Sequence, residues 1–126
     1  MSGNNEKRKY PRLKDEGVSL KVKSGTVDII TKSLDISASG IYCKVENELP
    51  IMSRLHVTLI VPKFQKNYSG KFHTSKIETD GVVVREHPVI DSGKIVHHDV
   101  AIFFDNISAK DRDALLEYIN HKTQAK

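Results

Sequence analysis

The chain of 126 residues has no tryptophan, one cysteine and four prolines. One cysteine closes no intrachain disulfide. A small scaffold stapled by bridges is therefore excluded, and a reducing compartment is expected. Cys43 lies in the apolar stretch Ile41-Tyr42-Cys43 and reads as a buried small hydrophobe. No run of about 18 apolar residues occurs, so no spanning helix and no membrane insertion are expected. Met1 to Lys14 is polar and basic, without the apolar region a secretion signal needs; the expected address is the cytoplasm. Aromatic side chains are few, four Tyr and four Phe, and most stand in apolar contexts. That counts against a small oligonucleotide-binding barrel, which stacks bases on exposed rings, so nucleic acid is not the expected partner.

Signs of catalysis are missing as well. None of the six histidines falls in an H-E-x-x-H spacing. His97 and His98 are adjacent, so in a strand they point to opposite faces and cannot share a metal. No G-x-S-x-G and no Gly-rich phosphate loop opens a helix, and no general acid/base pair is recognisable. The expectation is a binding protein, not an enzyme, with no catalytic residue, no metal and no cofactor.

What is present is an uneven charge. Residues 1–14 hold five basic side chains against Glu6 alone, a net +4, while residues 15–126 hold 15 of each sign. A basic arm on a neutral body suits a local anion site, though a solvated tail has the same composition.

Apolar alternation then dominates from residue 17 to 104. It predicts strands around Val18–Val22, Thr26–Leu34, Ile41–Val45, Leu55–Val61, Ile77–Arg85 and Lys94–Phe104. Expected breaks are Ser24-Gly25, Asn47–Pro50, Pro62 with the polar residues 63–75, and His87-Pro88 with Asp91-Ser92-Gly93. Asp80-Gly81 suggests a bulge or turn. Beyond Phe104 the period changes. Ser108 caps a helix, with Asp111 as its capping-box partner, and Leu115, Leu116 and Ile119 form an apolar stripe closed by Lys122. Short antiparallel strands followed by one helix give an all-β barrel or sandwich with a C-terminal helix. The organisation is one domain: a basic arm (1–14), a β body (15–107), and a helix and tail (108–126).

Two motifs stand out. Arg8-Lys9-Tyr10-Pro11-Arg12 places two arginines four apart, in a segment that Pro11 keeps out of a helix. A guanidinium fork matches phosphate oxygens and the O6 and N7 atoms of guanine. Asp35-Ile36-Ser37-Ala38-Ser39-Gly40 sits between two apparent strands. The Asp35 carboxylate can accept both donors of guanine's Watson–Crick edge, and Ser37 adds a hydroxyl. In a strand these two share a face. Gly40 permits a tight turn or a close approach. The same residues also suit a plain turn in which Asp and Ser satisfy their own backbone.

Separated by 22 residues (13–34), the two motifs together resemble the signature of the PilZ family of bacterial cyclic di-GMP receptors, R-x-x-x-R followed by D/N-x-S-x-x-G. All five signature positions are present: Arg8, Arg12, Asp35, Ser37 and Gly40. Ala101-Ile102-Phe103-Phe104 resembles the family's closing strand, with Ala101 where many members have glycine. The resemblance implies a six-stranded antiparallel barrel with a C-terminal helix. It implies that the arm wraps cyclic di-GMP against the barrel, with Arg8 and Arg12 on phosphates and guanine's Hoogsteen edge. Asp35 and Ser37 would hold a guanine, and Gly40 would leave room for it. Lys7, just before the pair, stands where family members differ in ligand stoichiometry. A signal relayed to a protein effector is the implied output. A PilZ-like interaction module without nucleotide binding is the alternative.

Overall fold

The computed structural model describes residues 18–25, 27–63 and 73–124. Six strands run in order: β1 (Ser19–Ser24), β2 (Val27–Ile36), β3 (Gly40–Val45), β4 (Arg54–Lys63), β5 (His73–Asp91) and β6 (Lys94–Phe104). One helix, α1 (Ala109–Gln124), follows. All neighbouring strands are antiparallel, and they close into a barrel in the order β1-β2-β3-β6-β5-β4. Closure leaves no free sheet edge around the core.

The period-2 alternation decides what goes inside. Leu20 and Val22 of β1, Ile41, Cys43 and Val45 of β3, and Leu55, Val57, Leu59 and Val61 of β4 are buried. Lys21 and Lys23 alternate with them and are exposed. Each such side chain removed from water is worth about 1.5–3 kcal/mol, which is what holds a wall of short strands closed. Helix α1 packs against β4 and β5, burying Leu115, Tyr118 and Ile119. Tyr118 takes the place expected for Leu116, which is only partly buried. The Asp111 amide donates to Ser108 Oγ at 3.1 Å, the expected N-cap. The Asp111 carboxylate turns away from the cap and accepts the Glu78 N–H at 3.3 Å, tying the helix to β5. Among the described residues no helix is long and apolar enough to cross a membrane.

Several expected breaks are absent. β2 continues to Ile36, so Asp35 belongs to the strand rather than to the connection after it. β4 runs through Pro62, and β5 runs unbroken for 19 residues through Asp80-Gly81 and Pro88. Among the described residues both prolines lie where the strand pairs with one neighbour. β4 pairs with β1 only as far as Ile60, and β5 pairs with β4 only as far as Val82. A missing N–H can face the open side there without breaking a ladder. Gly81 is needed for close approach: a Cβ would stand 2.6 Å from Ile102 Cγ2. The bulge of β5 falls instead at Val84, between Val83 and Arg85, and a second register shift, opposite Val89 and Ile90, has its extra residue, Val96, on β6. Past the barrel rim β5 and β6 continue as a two-stranded ribbon. It closes at Ser92-Gly93, whose φ angles of 55° and 80° belong to a type I′ turn.

Candidate functional site

Asp35 reaches the outer wall through a break in register. Ser33 pairs with Cys43, and both are fully buried. The next pair is Asp35 with Tyr42, so Leu34 is an extra residue on β2. In an unbroken strand Asp35 would share the inward face of Ser33. The bulge reverses that parity and sets Asp35 beside Tyr42, outside the barrel.

The turn that follows is tied down by its own serines. The Ser37 amide donates to Gly40 O at 2.9 Å. Ser37 Oγ accepts the Ser39 amide at 3.2 Å and lies 3.1 Å from Ser39 Oγ. The Phe104 amide donates to Ser39 O at 2.9 Å, stitching the turn to β6. Ser37 and Ala38 are buried next to Ile36, so strand alternation has already ended and Asp35 and Ser37 do not share a strand face. The Ser37 hydroxyl therefore helps to build the turn. Gly40 has a structural reason of its own: a Cβ there would lie 2.5 Å from the carbonyl oxygen of Ile102. Only glycine lets β3 start this close to β6.

These residues still converge. Asp35, Ser37, Gly40, Tyr42, Ala101 and Phe103 help to line one shallow hollow of about 90 Å³ on the outer wall. That is room for about three waters, so it is the floor of an open surface rather than an enclosed cavity. Tyr42 is held above its ordinary pKa of 10.0 by partial burial, then by the charge of Asp99 and a hydrogen bond to it, while Arg85 opposes the rise. Asp99 Oδ1 in turn lies 3.2 Å from His97 Nε2. A larger hollow, about 460 Å³, lies across β1, β2, β4 and β5 and contains none of the motif residues.

The structure thus brings Asp35, Ser37 and Gly40 together. Arg8, Arg12 and Lys7, with the rest of the 1–14 arm, lie outside the described residues. Sequence reasoning missed Tyr42, Asp99 and Phe103 as wall residues. The signal for Tyr42 was available, because buried Ile41 and Cys43 on either side force it outward.

A family model for the PilZ domain matches residues 6–121. The chain belongs to the PilZ domain family. Its barrel is similar to that of the inhibitor of motility MotI/DgrA from Bacillus subtilis, with a TM-score of 0.79 and 24% identity. That match covers 96% of this chain and 53% of the other, so this PilZ chain spans about half the length of that relative. It is similar to the PilZ domain of YcgR from Escherichia coli with c-di-GMP, with a TM-score of 0.63, 16% identity and 95% of each chain covered. The K. pneumonia MrkH–c-di-GMP complex has a TM-score of 0.62 at 13% identity, covering 96% of this chain and 56% of that one. The comparison with curated proteins gives no match. The closed six-stranded barrel with one C-terminal helix is thus a PilZ-type fold.

Proposed function

We propose that this PilZ chain is a non-catalytic receptor for cyclic di-GMP. The observation that carries the reading is the convergence of Asp35, Ser37 and Gly40 on one outer hollow, in a chain whose sequence also keeps Arg8 and Arg12 at the family spacing. A half-buried carboxylate on the outer wall beside an aromatic ring suits a base with two adjacent donors, and guanine offers N1–H and N2. The ligand's two phosphates call for paired guanidinium groups, which Arg8 and Arg12 supply, with Lys7 adding charge.

The relay follows from charge. The arm carries the chain's whole net +4, and a dianionic ligand neutralises part of it. Arm and nucleotide together then form a new surface beside the barrel, which a protein effector reads. This is an ordering switch driven by ligand charge.

Isothermal calorimetry with cyclic di-GMP tests the reading and gives the stoichiometry. Arg8→Ala or Arg12→Ala each removes charge-assisted hydrogen bonds worth about 1.5–3 kcal/mol, so affinity falls roughly tenfold or more. Cyclic di-AMP lacks the N1–H donor and is rejected. Wild-type affinity in either arginine variant refutes the site assignment, and equal binding of the two dinucleotides refutes the guanine-reading role of Asp35; no binding of cyclic di-GMP by wild type removes the proposal and leaves an interaction module without nucleotide. Amide exchange of residues 8–12 with and without ligand tests the relay; equal protection in both states refutes it.

A further inference from the structure

The register places four side chains in one straight row across the outer wall. Asp35 of β2 pairs with Tyr42 of β3, Tyr42 pairs with Ala101 of β6, and Ala101 pairs with Arg85 of β5. Three interstrand gaps of about 4.8 Å separate the end Cα atoms by about 14 Å. The two ends of the row carry opposite charge, and the position next to Arg85 carries only a methyl group.

Both ends owe their outward direction to a bulge. Leu34 is the extra residue before Asp35, and Val84 is the extra residue before Arg85. Val83, the last β5 residue in regular register, pairs with Ile102, and both are buried. In an unbroken strand Arg85, two residues on, would share the inward face of Val83. Two independent register breaks, on strands not adjacent in the barrel, thus re-aim an acid and a base onto one row. Bulges concentrate beside functional sites because they redirect side chains in this way. Arg85 is exposed and forms no hydrogen bond or ion pair with another described residue. Structural pairing within the barrel therefore does not account for it.

Guanine has the matching polarity. Its N1–H and N2 edge donates, and its O6 and N7 edge accepts. A base settled over Ala101 meets a carboxylate at the first edge and a planar guanidinium fork at the second. Adenine presents the N6 donor where guanine has O6, so it mismatches the fork as well as the carboxylate.

We propose that Arg85 is a guanine-reading residue of this site, closing on O6 and N7 of the base whose donors Asp35 accepts. The inference rests on the cyclic di-GMP reading above. It assigns that base's Hoogsteen edge to the barrel and leaves Arg8 and Arg12 for the phosphates and the second base.

The test is calorimetric titration of the full chain with cyclic di-GMP, for wild type, Arg85→Ala, Arg85→Lys and Asp35→Ala. Melting without ligand is measured alongside, and stays at the wild-type value for both Arg85 variants because the side chain is exposed. The expected result is a roughly ten- to hundredfold loss of affinity in Arg85→Ala, and a loss of similar size in Arg85→Lys. Lysine keeps the charge and loses the fork. Wild-type affinity in Arg85→Ala, with binding lost in Asp35→Ala, overturns this inference and leaves the receptor reading intact. Full affinity in Arg85→Lys overturns the base-reading role, because charge alone would then suffice. No binding by wild type removes the receptor reading itself, and this inference with it.

Discussion

Gly40→Ala separates two explanations of a signature residue. If Gly40 only leaves room for a ligand, the substitution weakens binding and spares the fold. The geometry requires a cost to the fold. The new Cβ would stand 2.5 Å from Ile102 O, against 3.4 Å or more for ordinary contact, so strands β3 and β6 must part by about 0.9 Å at their first pair. The obstacle is backbone and cannot rotate away. Crowding of this kind costs about 1–3 kcal/mol. The adjoining bonds from the Ser37 amide to Gly40 O and from the Phe104 amide to Ser39 O, both 2.9 Å, sit on the moving segment. Weakening them adds about 1 kcal/mol. Against this, alanine restricts the unfolded chain and returns about 0.4–1 kcal/mol. The net is a destabilisation of about 2 kcal/mol, or a fall in Tm of about 8 °C for a domain of this size. Urea unfolding of the ligand-free chain measures it directly. An unfolding free energy within about 0.5 kcal/mol of wild type would refute the close approach of β3 to β6 and return Gly40 to a purely ligand-facing role.

Two further outcomes concern titrating groups. Burial first, then the charge of Asp99, pushes the Cys43 thiol up to about 12. At pH 8 only about one thiol in ten thousand is then ionised, so the folded chain should resist thiol-specific reagents and react fully in denaturant; rapid labelling of the native protein would contradict the burial. His56 has Nε2 3.1 Å from Glu78 Oε1 and Nδ1 3.4 Å from Asp80 Oδ1. Its hydrogen bonds to Glu78 and then Asp80 raise its pKa above the ordinary 6.5, and the bond from His56 lowers that of Glu78 below 4.5. The raised histidine stabilises the fold fully below its unfolded pKa and loses that contribution as pH rises through the folded value. The lowered carboxylate stabilises above its unfolded pKa and loses that contribution as pH falls through the folded value. The pair thus acts between the two ranges, and His56→Asn should flatten the decline in Tm on the alkaline side of pH 6.5. An NMR titration placing the His56 pKa at or below 6.5 would show that the contacts do not persist in solution.

Much of this architecture was legible because the signals are local. Val18, Leu20 and Val22, or Leu55 through Val61, commit to one face by alternation alone, and the core requires nothing further. The helix start was legible from Ser108 and Asp111, since an N-cap needs only four residues. Asp35, Ser37 and Gly40 were legible as a motif, and they do line one hollow. What failed were boundaries that depend on a neighbour. Pro62 and Pro88 read as terminators in one dimension, yet each is accommodated where its strand pairs with one neighbour among the described residues. Asp80-Gly81 read as a bulge or turn, yet Gly81 serves the approach of Ile102 from β6.

The deeper limit is parity. Alternation tells inside from outside only while register is unbroken, and a single bulge inverts every residue after it. Counting from Ser33 sends Asp35 into the core; counting from Val83 sends Arg85 there. Both counts are wrong by one residue, and in both cases the error falls on the charged side chain that the bulge redirects. The sequence carries a weak sign of this: a charge two residues after a buried position in an apolar strand is costly to bury. Strand alternation that would bury an acid or a base therefore predicts a register break just before it. The rule fits Leu34 and Val84, each directly before such a charge, once Ser33 and Val83 are known to be buried. It also explains why the site lies where the barrel's regularity fails, since an unbroken wall of β2 and β5 would place neither Asp35 nor Arg85 on the outer face.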